Sequence, residues 1–463
     1  MQARPYSARN RVHLVDETDV IPIKSVDDLI AGFHAAGKPR SEARVGSEHE
    51  LIGVRRRTTP RGPIGSAPAY EGPDGIGAVL DGFASRGWEP VMEDGHVIAL
   101  GCTDAQVTIE PGGQFELAAR PVTDDRTFVS DIARHTRTLG DISGPLGLAW
   151  LSTGFRPFGR REDVPWMPKV RYRVMRDYMP TVGTRGLDMM QRTATVQSNL
   201  DFVDEADALA TMRCLYSVTP ILTALWANSP IVDGVPSGFQ SYRAWVWRDT
   251  DNARAGLLPF VFERDDLFRA YTDWALDVPM YFVYRGGYQP PDGMTFRAFL
   301  ANGWRGERAN QSDWALHLST LFPEARLKRF IEVRGCDCGS FPMITALGPL
   351  CRGLLYDDDA RAAATALTAD LTFAERQRIS DEVPRQGLAT KVGGQTIGVL
   401  ARELLAIVKS ALRGLAPDSV PLLAPVEDIV LTGRTQADVA VDAWNAADGD
   451  VAQQIKAMEH PGL

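Results

Sequence analysis

At 463 residues the chain exceeds a minimal module, and its 44% hydrophobic and 24% charged residues are ordinary for a soluble globular protein with a large core. A net charge of -9 argues against partners such as nucleic acid or an anionic membrane, so a cluster of arginines here reads as local and purposeful. Five scattered cysteines form no disulfide framework and point to a reducing, cytoplasmic location.

No stretch approaches the roughly 20 apolar residues that span a bilayer. Residues 1–25 carry Arg4, Arg9 and Arg11 without the apolar run of a secretory signal, and read as a flexible, soluble leader, with a transit peptide as the less favoured alternative. Residues 26–463 read as a single domain, mainly helical from about residue 359. Within it, Val26–Ala36 has helical spacing after a possible cap at Ser25, Arg44–Val54 reads as a strand, and Gly77–Arg86 as a helix. Short strands follow at Val91–Glu93, Val97–Leu100, Gln106–Glu110 and Gln114–Leu117, separated by Gly, Pro and Asp in hairpin fashion. Thr127–Leu139 reads as a helix and Leu146–Gly154 as a buried strand. Arg156–Gly186 reads as a long irregular loop, a type of segment that often carries function. Thr193–Phe202, Val278–Tyr284 and Phe330–Arg334 read as strands and Ala206–Ala227 as a helix. Helices then dominate: Ala360–Asp370, Phe373–Val383, Thr396–Leu415 and Ala437–Met458. Strands interleaved with helices and ending in helices predict an α+β fold.

Residues two apart on a strand share a face. Glu48 and Glu50 therefore point one way, as do Gln114 and Glu116, then Thr195, Gln197, Asn199 and Asp201, then Glu332 and Arg334. A sheet with one side in water alternates in the same manner. What distinguishes these strands is their lack of lysine and their wealth of acids and amides. If Glu48, Glu50, Glu93, Glu110, Glu116 and Glu332 converge, such a cluster is too costly to hold without cations. Oxygen-rich sites suit Mg²⁺ or Mn²⁺ bridging substrate phosphates. The Pro-Gly-Gly of Thr108–Leu117 makes a tight turn between two Glu-bearing strands.

The positive counterpart is Lys169, Arg171, Arg173 and Arg176 within eight residues, with Arg192, Arg243, Arg254 and Arg334 near other polar motifs. Arginine binds carboxylate and phosphate as a fork, so this set suggests an anionic small-molecule substrate, while a solvated basic loop remains the plain alternative for Lys169–Arg176. Carboxylates for metals with arginines for anions suit phosphoryl transfer, and there is no G-x-x-x-x-G-K-[ST] P-loop.

Long ordered motifs carry a family resemblance: SEHELIG (Ser47–Gly53), IEPGGQFEL (Ile109–Leu117), REDVPWMPKVRYRVMRDYMP (Arg161–Pro180), GLDMMQRTATVQSNLDF (Gly186–Phe202), ANSP (Ala227–Pro230), SYRAWVWRDTDNARAGLLPFVF (Ser241–Phe262), ALDVPMYFVYR (Ala275–Arg285), FPEARLKRFIEVRG (Phe322–Gly335) and GLLYD (Gly353–Asp357). From about Gly46 to about Glu459 the chain resembles the plant and proteobacterial type of glutamate–cysteine ligase, a distant relative of the enzyme that opens ergothioneine synthesis. The resemblance implies an antiparallel sheet curved into a cup, related to glutamine synthetase, with helices outside. It implies ATP and Mg²⁺ as cofactors, and glutamate, cysteine and ATP as substrates. The glutamate γ-carboxylate would take the γ-phosphoryl group, and the cysteine amine would attack the acyl phosphate. By resemblance, Glu48, Glu50, Glu116 and Glu332 would be metal ligands, with Glu93 and Glu110 as further candidates for metal or nucleotide. Arg334 and Arg192 would be catalytic. Arg243, Arg254, Asn199, Asp201, Tyr281 and Tyr284 would bind substrate.

Two positions depart from the family pattern. Leu51 stands where the family has a lysine after EHE, and Cys336 and Cys338 lie in RGCDCG where it has RGAD. Reduced, unpaired thiols are expected there. Two alternatives stay open: a γ-glutamyl ligase for another amine, and a binding or regulatory paralogue without turnover.

Overall fold

A computed structural model describes residues 21–460. Most of the expected leader lies outside the described residues, but Pro22 already bridges to Asn310 and the Ile23 N–H donates to the Ala309 carbonyl. The central sheet has nine strands: β1 (Val45–Arg55), β2 (Glu89–Glu93), β3 (His96–Gly101), β4 (Ala105–Ile109), β5 (Phe115–Val122), β6 (Leu148–Leu151), β7 (Thr195–Leu200), β8 (Ala325–Leu327) and β9 (Ile331–Asp337). They run β8-β9-β7-β1-β5-β4-β3-β2, with β6 on the remaining length of β1, and every pairing is antiparallel. The antiparallel α+β expectation is borne out, and the sheet is open.

One face of the sheet is apolar: Leu51 of β1, Phe115 and Leu117 of β5, Val196 and Leu200 of β7, and Ile331 and Val333 of β9 are all buried. Burying such side chains contributes roughly 1.5–3 kcal/mol each. Helices cover this side of the chain. Helix α1 (Asp125–Ser143) packs on β5, and α4 (Phe341–Leu355) packs on β1 and β7. α1 buries Phe128, Ile132, Leu139 and Ile142 at helical spacing, after Asp124 caps its first turn by accepting from the Arg126 and Thr127 N–H groups.

Helix α3 (Glu205–Leu225) has the length and hydropathy of a bilayer span, contrary to the expectation that no stretch approaches one. It is the core helix of the fold, with 89% of its apolar window buried.

Several elements differ from their sequence reading. Within the expected loop at 156–186 lies helix α2 (Val170–Tyr178), whose narrow buried stripe, Tyr172 and Met175, leaves little periodicity to read. The expected strand at 278–284 shrinks to Val283–Tyr284, paired with Tyr288–Gln289. The expected helix at 437–458 is two, Gln436–Ala446 and Val451–Met458, parted at Asp448 and Gly449, both with positive φ.

One buried histidine makes the core sensitive to acid. The His317 ring stacks on Phe296, 5.3 Å between centroids, and its Nε2–H donates to the Ala275 carbonyl at 2.7 Å. Burial drops its pKa to about 3, so the folded state holds it neutral. Its stabilisation is complete above the ordinary pKa of about 6.5 and is lost as pH falls from there toward about 3, at up to about 1.4 kcal/mol per pH unit. Between pH 7 and pH 5, His317→Gln should lose roughly 2 kcal/mol less stability than wild type in urea unfolding. Equal losses would contradict this.

Candidate active site

The strand register collects the acids on the polar sheet face. Glu50 of β1 lies opposite Glu116 of β5, which lies opposite Thr108 of β4. Glu48 lies opposite Gln197 of β7, and Asn199 lies opposite Glu332 of β9, itself opposite Arg326 of β8. Hydrogen bonds tie this face together. Asn199 Nδ2 donates to Glu48 Oε1 at 2.7 Å, the Thr195 N–H donates to Glu50 Oε2 at 3.0 Å, and Thr108 Oγ1 donates to Glu116 Oε1 at 3.2 Å. Glu110, in the turn after β4, accepts from the Tyr172 hydroxyl at 3.4 Å.

This half of the face is an acidic pole. Burial, then the neighbouring Glu110, pushes Glu50 up to about 8. Burial and the charges of Glu110, Glu48 and Glu50 push Glu116 well above the carboxylate range. The opposing cations are Arg243 and, more weakly, Arg334 beside Glu50, and Lys169, which burial holds below the usual lysine range despite Glu110, Glu116 and Glu93 beside it. They do not offset so many half-buried carboxylates.

The other half is a basic pole built around one acid. Arg326 forks both oxygens of Glu332 at 2.7 and 3.0 Å, Arg334 Nη1 donates to Oε2 at 2.6 Å, and Lys328 Nζ lies 3.2 Å from Oε1. Burial opposes ionisation of Glu332, yet these three cations hold it well below the usual carboxylate range. Burial, with Arg326 nearby, brings Lys328 down to about 8. Arg334 also reaches Gln197 Oε1 at 3.3 Å. The face thus sets a place for cations beside a place for anions.

Two polar devices behind the face hold it in shape. Asp337 accepts from the Asn228 N–H at 2.9 Å, Ser229 Oγ at 2.6 Å and Ser241 Oγ at 2.8 Å, which pins the ANSP and SYR motifs to β9. The Arg243 N–H then donates to Ser229 Oγ at 3.1 Å and its Nη2 to the Arg334 carbonyl at 2.9 Å. Gln114 folds back on the Pro-Gly-Gly turn: its Oε1 accepts from the Gly112 N–H at 2.9 Å and its Nε2 donates to the Thr193 carbonyl at 2.8 Å. A Cβ on Gly112 would sit 2.0 Å from the Gln191 carbonyl, so only glycine permits this approach.

Of the residues picked from the sequence, Glu48, Glu50, Glu110, Glu116, Glu332, Asn199, Arg243 and Arg334 come together here. Others do not. Arg192 was expected to be catalytic, but it is spent on Asp233 at 2.5 Å, Asp188 at 3.3 Å and the Gly159 carbonyl at 3.2 Å. Arg254 was expected on substrate, but it is fully buried against Asp251 at 2.5 Å and the Pro279 carbonyl at 2.7 Å, over the Tyr281 ring at 3.7 Å. Tyr281 is buried beneath it, and Tyr284 packs edge-on against Tyr288. Asp201 is taken by Lys38 at 2.6 Å and the Arg44 N–H at 3.1 Å. Glu93 stands at the edge of the acidic pole beside Lys169, and one of its oxygens is engaged by the Val170 N–H at 2.8 Å, closing the first turn of α2. Glu332, picked as a metal ligand, has both oxygens occupied by cations and serves here as the anchor of the basic pole.

Arg326, Lys328 and Asp337 escaped selection, and Lys169 was noted only as part of the basic run. Arg326 and Lys328 lie in a motif already quoted, six and four residues before Glu332, and a cation so close to a strand acid was the available signal. Leu51 is buried on the apolar face opposite Phe115, so its side chain points away from the site. Cys336 and Cys338 are buried, free thiols, and burial pushes both above the usual thiol range.

A family model described as glutamate-cysteine ligase family 2 (GCS2) matches residues 44–457. The chain is 42% identical over 434 residues to the chloroplastic glutamate–cysteine ligase of Arabidopsis thaliana, covering 93% of this chain and 81% of that protein. It is also 42% identical over 434 residues to the chloroplastic enzyme of Brassica juncea, covering 93% and 83%. Among solved structures, a glutamate–cysteine ligase of Francisella tularensis in complex with AMP matches with a TM-score of 0.51 at 13% identity, over 91% of this chain and 90% of that one. At that identity the structural likeness speaks for the fold. The expectation of a cytoplasmic location is overturned, because these relatives at 42% identity are named chloroplastic.

Proposed function

The chain belongs to glutamate–cysteine ligase family 2, and from the acidic and basic poles of its sheet we infer how its own residues carry the reaction. It joins the γ-carboxylate of glutamate to the amine of cysteine at the expense of ATP, which places it in glutathione biosynthesis. The single observation that carries the reading is the cross-strand pair Glu50 and Glu116, half-buried within reach of Glu48 and Glu110.

Those four carboxylates fit a hard divalent cation. They offer oxygen alone, and their mutual repulsion is offset by too few cations of the protein's own. Bound there, Mg²⁺ would neutralise the phosphate charge of ATP. Arg334 and Lys328 would stabilise charge on the transferring phosphoryl group, since both reach the polar face from the Glu332 anchor. Arg243, beside Glu50, has an Nε without a hydrogen-bond partner among the described residues, and would take a substrate carboxylate. Asn199, whose Oδ1 likewise has none, would accept from a substrate amine.

The test is ADP release by the purified protein with glutamate and single amines. Turnover dependent on cysteine is expected. ADP release only with another amine, or none despite nucleotide binding, would overturn the assignment of roles.

A further inference from the structure

A second cluster of metal-ligating atoms lies away from the sheet face just described. Cys102 and Asp104 occupy the turn between β3 and β4, and His135 lies on the buried face of α1. Asp104 stands at the opposite end of β4 from Glu110, roughly 20 Å along the strand at the usual rise per residue. Cys102 Sγ is 3.0 Å from Asp104 Oδ1, His135 Nε2 is 3.6 Å from the same oxygen, and one ligand atom from each of the three lies within 4.8 Å of the others.

We propose that Cys102, Asp104 and His135 form a binding site for one borderline-soft divalent cation of the Zn²⁺ class, which staples the β3–β4 turn to α1. Around tetrahedral zinc, with Zn–S about 2.3 Å and Zn–N or Zn–O about 2.0–2.1 Å, neighbouring ligand atoms stand roughly 3.3–3.6 Å apart. The cluster is therefore close to that spacing already. Three protein ligands leave a fourth position for water. A thiolate and an imidazole select against Mg²⁺, which keeps this site chemically distinct from the carboxylate face.

The surroundings show how the protein balances the charge without the ion. Arg134 donates to Asp104 Oδ2, and through the same nitrogen to Asp131 Oδ1 at 2.8 Å. That nitrogen also lies 3.4 Å from His135 Nε2, so an ion bound at this ring nitrogen would compete with Arg134 for it. Cys102 is a thiol, and on coordination its proton leaves to the buffer as the sulfur–metal bond forms. Arg134 is half exposed and can keep Asp131 while the ion takes Asp104. A plain salt-bridge cluster would need Arg134; a metal site would compete with it.

That competition supplies the test. Chelator-stripped protein is titrated with Co²⁺ in excess Mg²⁺ and followed by absorption. A single equivalent should bind with a near-ultraviolet thiolate-to-cobalt band, and Zn²⁺ should displace it. Cys102→Ser should abolish the band, and His135→Gln should weaken binding by more than about tenfold. Arg134→Ala, at a half-exposed position, should tighten binding by about tenfold, because a competing positive charge is gone. The proposal is overturned if wild type shows no thiolate band, if the band persists in Cys102→Ser, or if Arg134→Ala binds no more tightly than wild type.

Discussion

Glu50→Gln should lower ligase turnover by at least about a hundredfold while making the metal-free protein more stable. The two effects share one cause. In the wild type Glu50 is half-buried beside Glu110 and opposite Glu116, with its pKa pushed up to about 8. A carboxyl raised in the folded state contributes its stability below the unfolded value of about 4.5, and loses it as pH climbs through about 8. Glutamine keeps the shape and can still accept from the Thr195 N–H, but it never ionises. At pH 8.5, with chelator present, the variant should therefore be more stable than wild type by roughly 2–4 kcal/mol, and at pH 5 the two should be alike. Differential scanning calorimetry at both pH values, together with the ADP assay, decides this. An equal loss of stability and turnover would mean that Glu50 is merely part of the scaffold.

For Glu332→Gln the stability effect should have the opposite sign. This carboxylate is surrounded by Arg326, Arg334 and Lys328 and is itself buried. Removing its charge leaves three neighbouring cations without their shared partner, a loss on the order of 3–5 kcal/mol for a broken buried pair. Turnover should fall as well, because the cations that would meet the phosphoryl group lose their positions. Denaturant unfolding should show the loss with and without Mg²⁺, whereas the Glu50 effect should appear only without it. A Glu332→Gln protein as stable as wild type would refute the anchoring role. Two glutamates on one sheet face would thus be separated by the direction in which each moves stability.

Much of this face could be read from residue order alone, because strand alternation is a local property. Glu48 with Glu50, Gln197 with Asn199, and Glu332 with Arg334 are each two apart, and each pair does share the polar face. What alternation cannot give is which strands are neighbours, and so that Glu50 meets Glu116 across β1 and β5. The arginines divide in an instructive way. Arg192 has Asp188 four residues earlier and Arg254 has Asp251 three residues earlier, and both pair with that acid. Arg243 has no acid at such a spacing and reaches the site. Local charge pairing was therefore a legible signal that these two arginines were already engaged. By contrast, Asp201 is claimed by Lys38, and the first turn of α2 is closed by Glu93. Both partners are far away in sequence, and no local pattern announces either one.

The account turns on divalent cations held by acids of β1 and β5. Mn²⁺ binding in the presence of ATP, followed by electron paramagnetic resonance, tests it most directly. Wild type should bind, Glu50→Gln and Glu116→Gln should each lose more than about tenfold in affinity, and Glu93→Gln should retain it. Unchanged Mn²⁺ affinity in both the Glu50 and Glu116 variants would contradict the account.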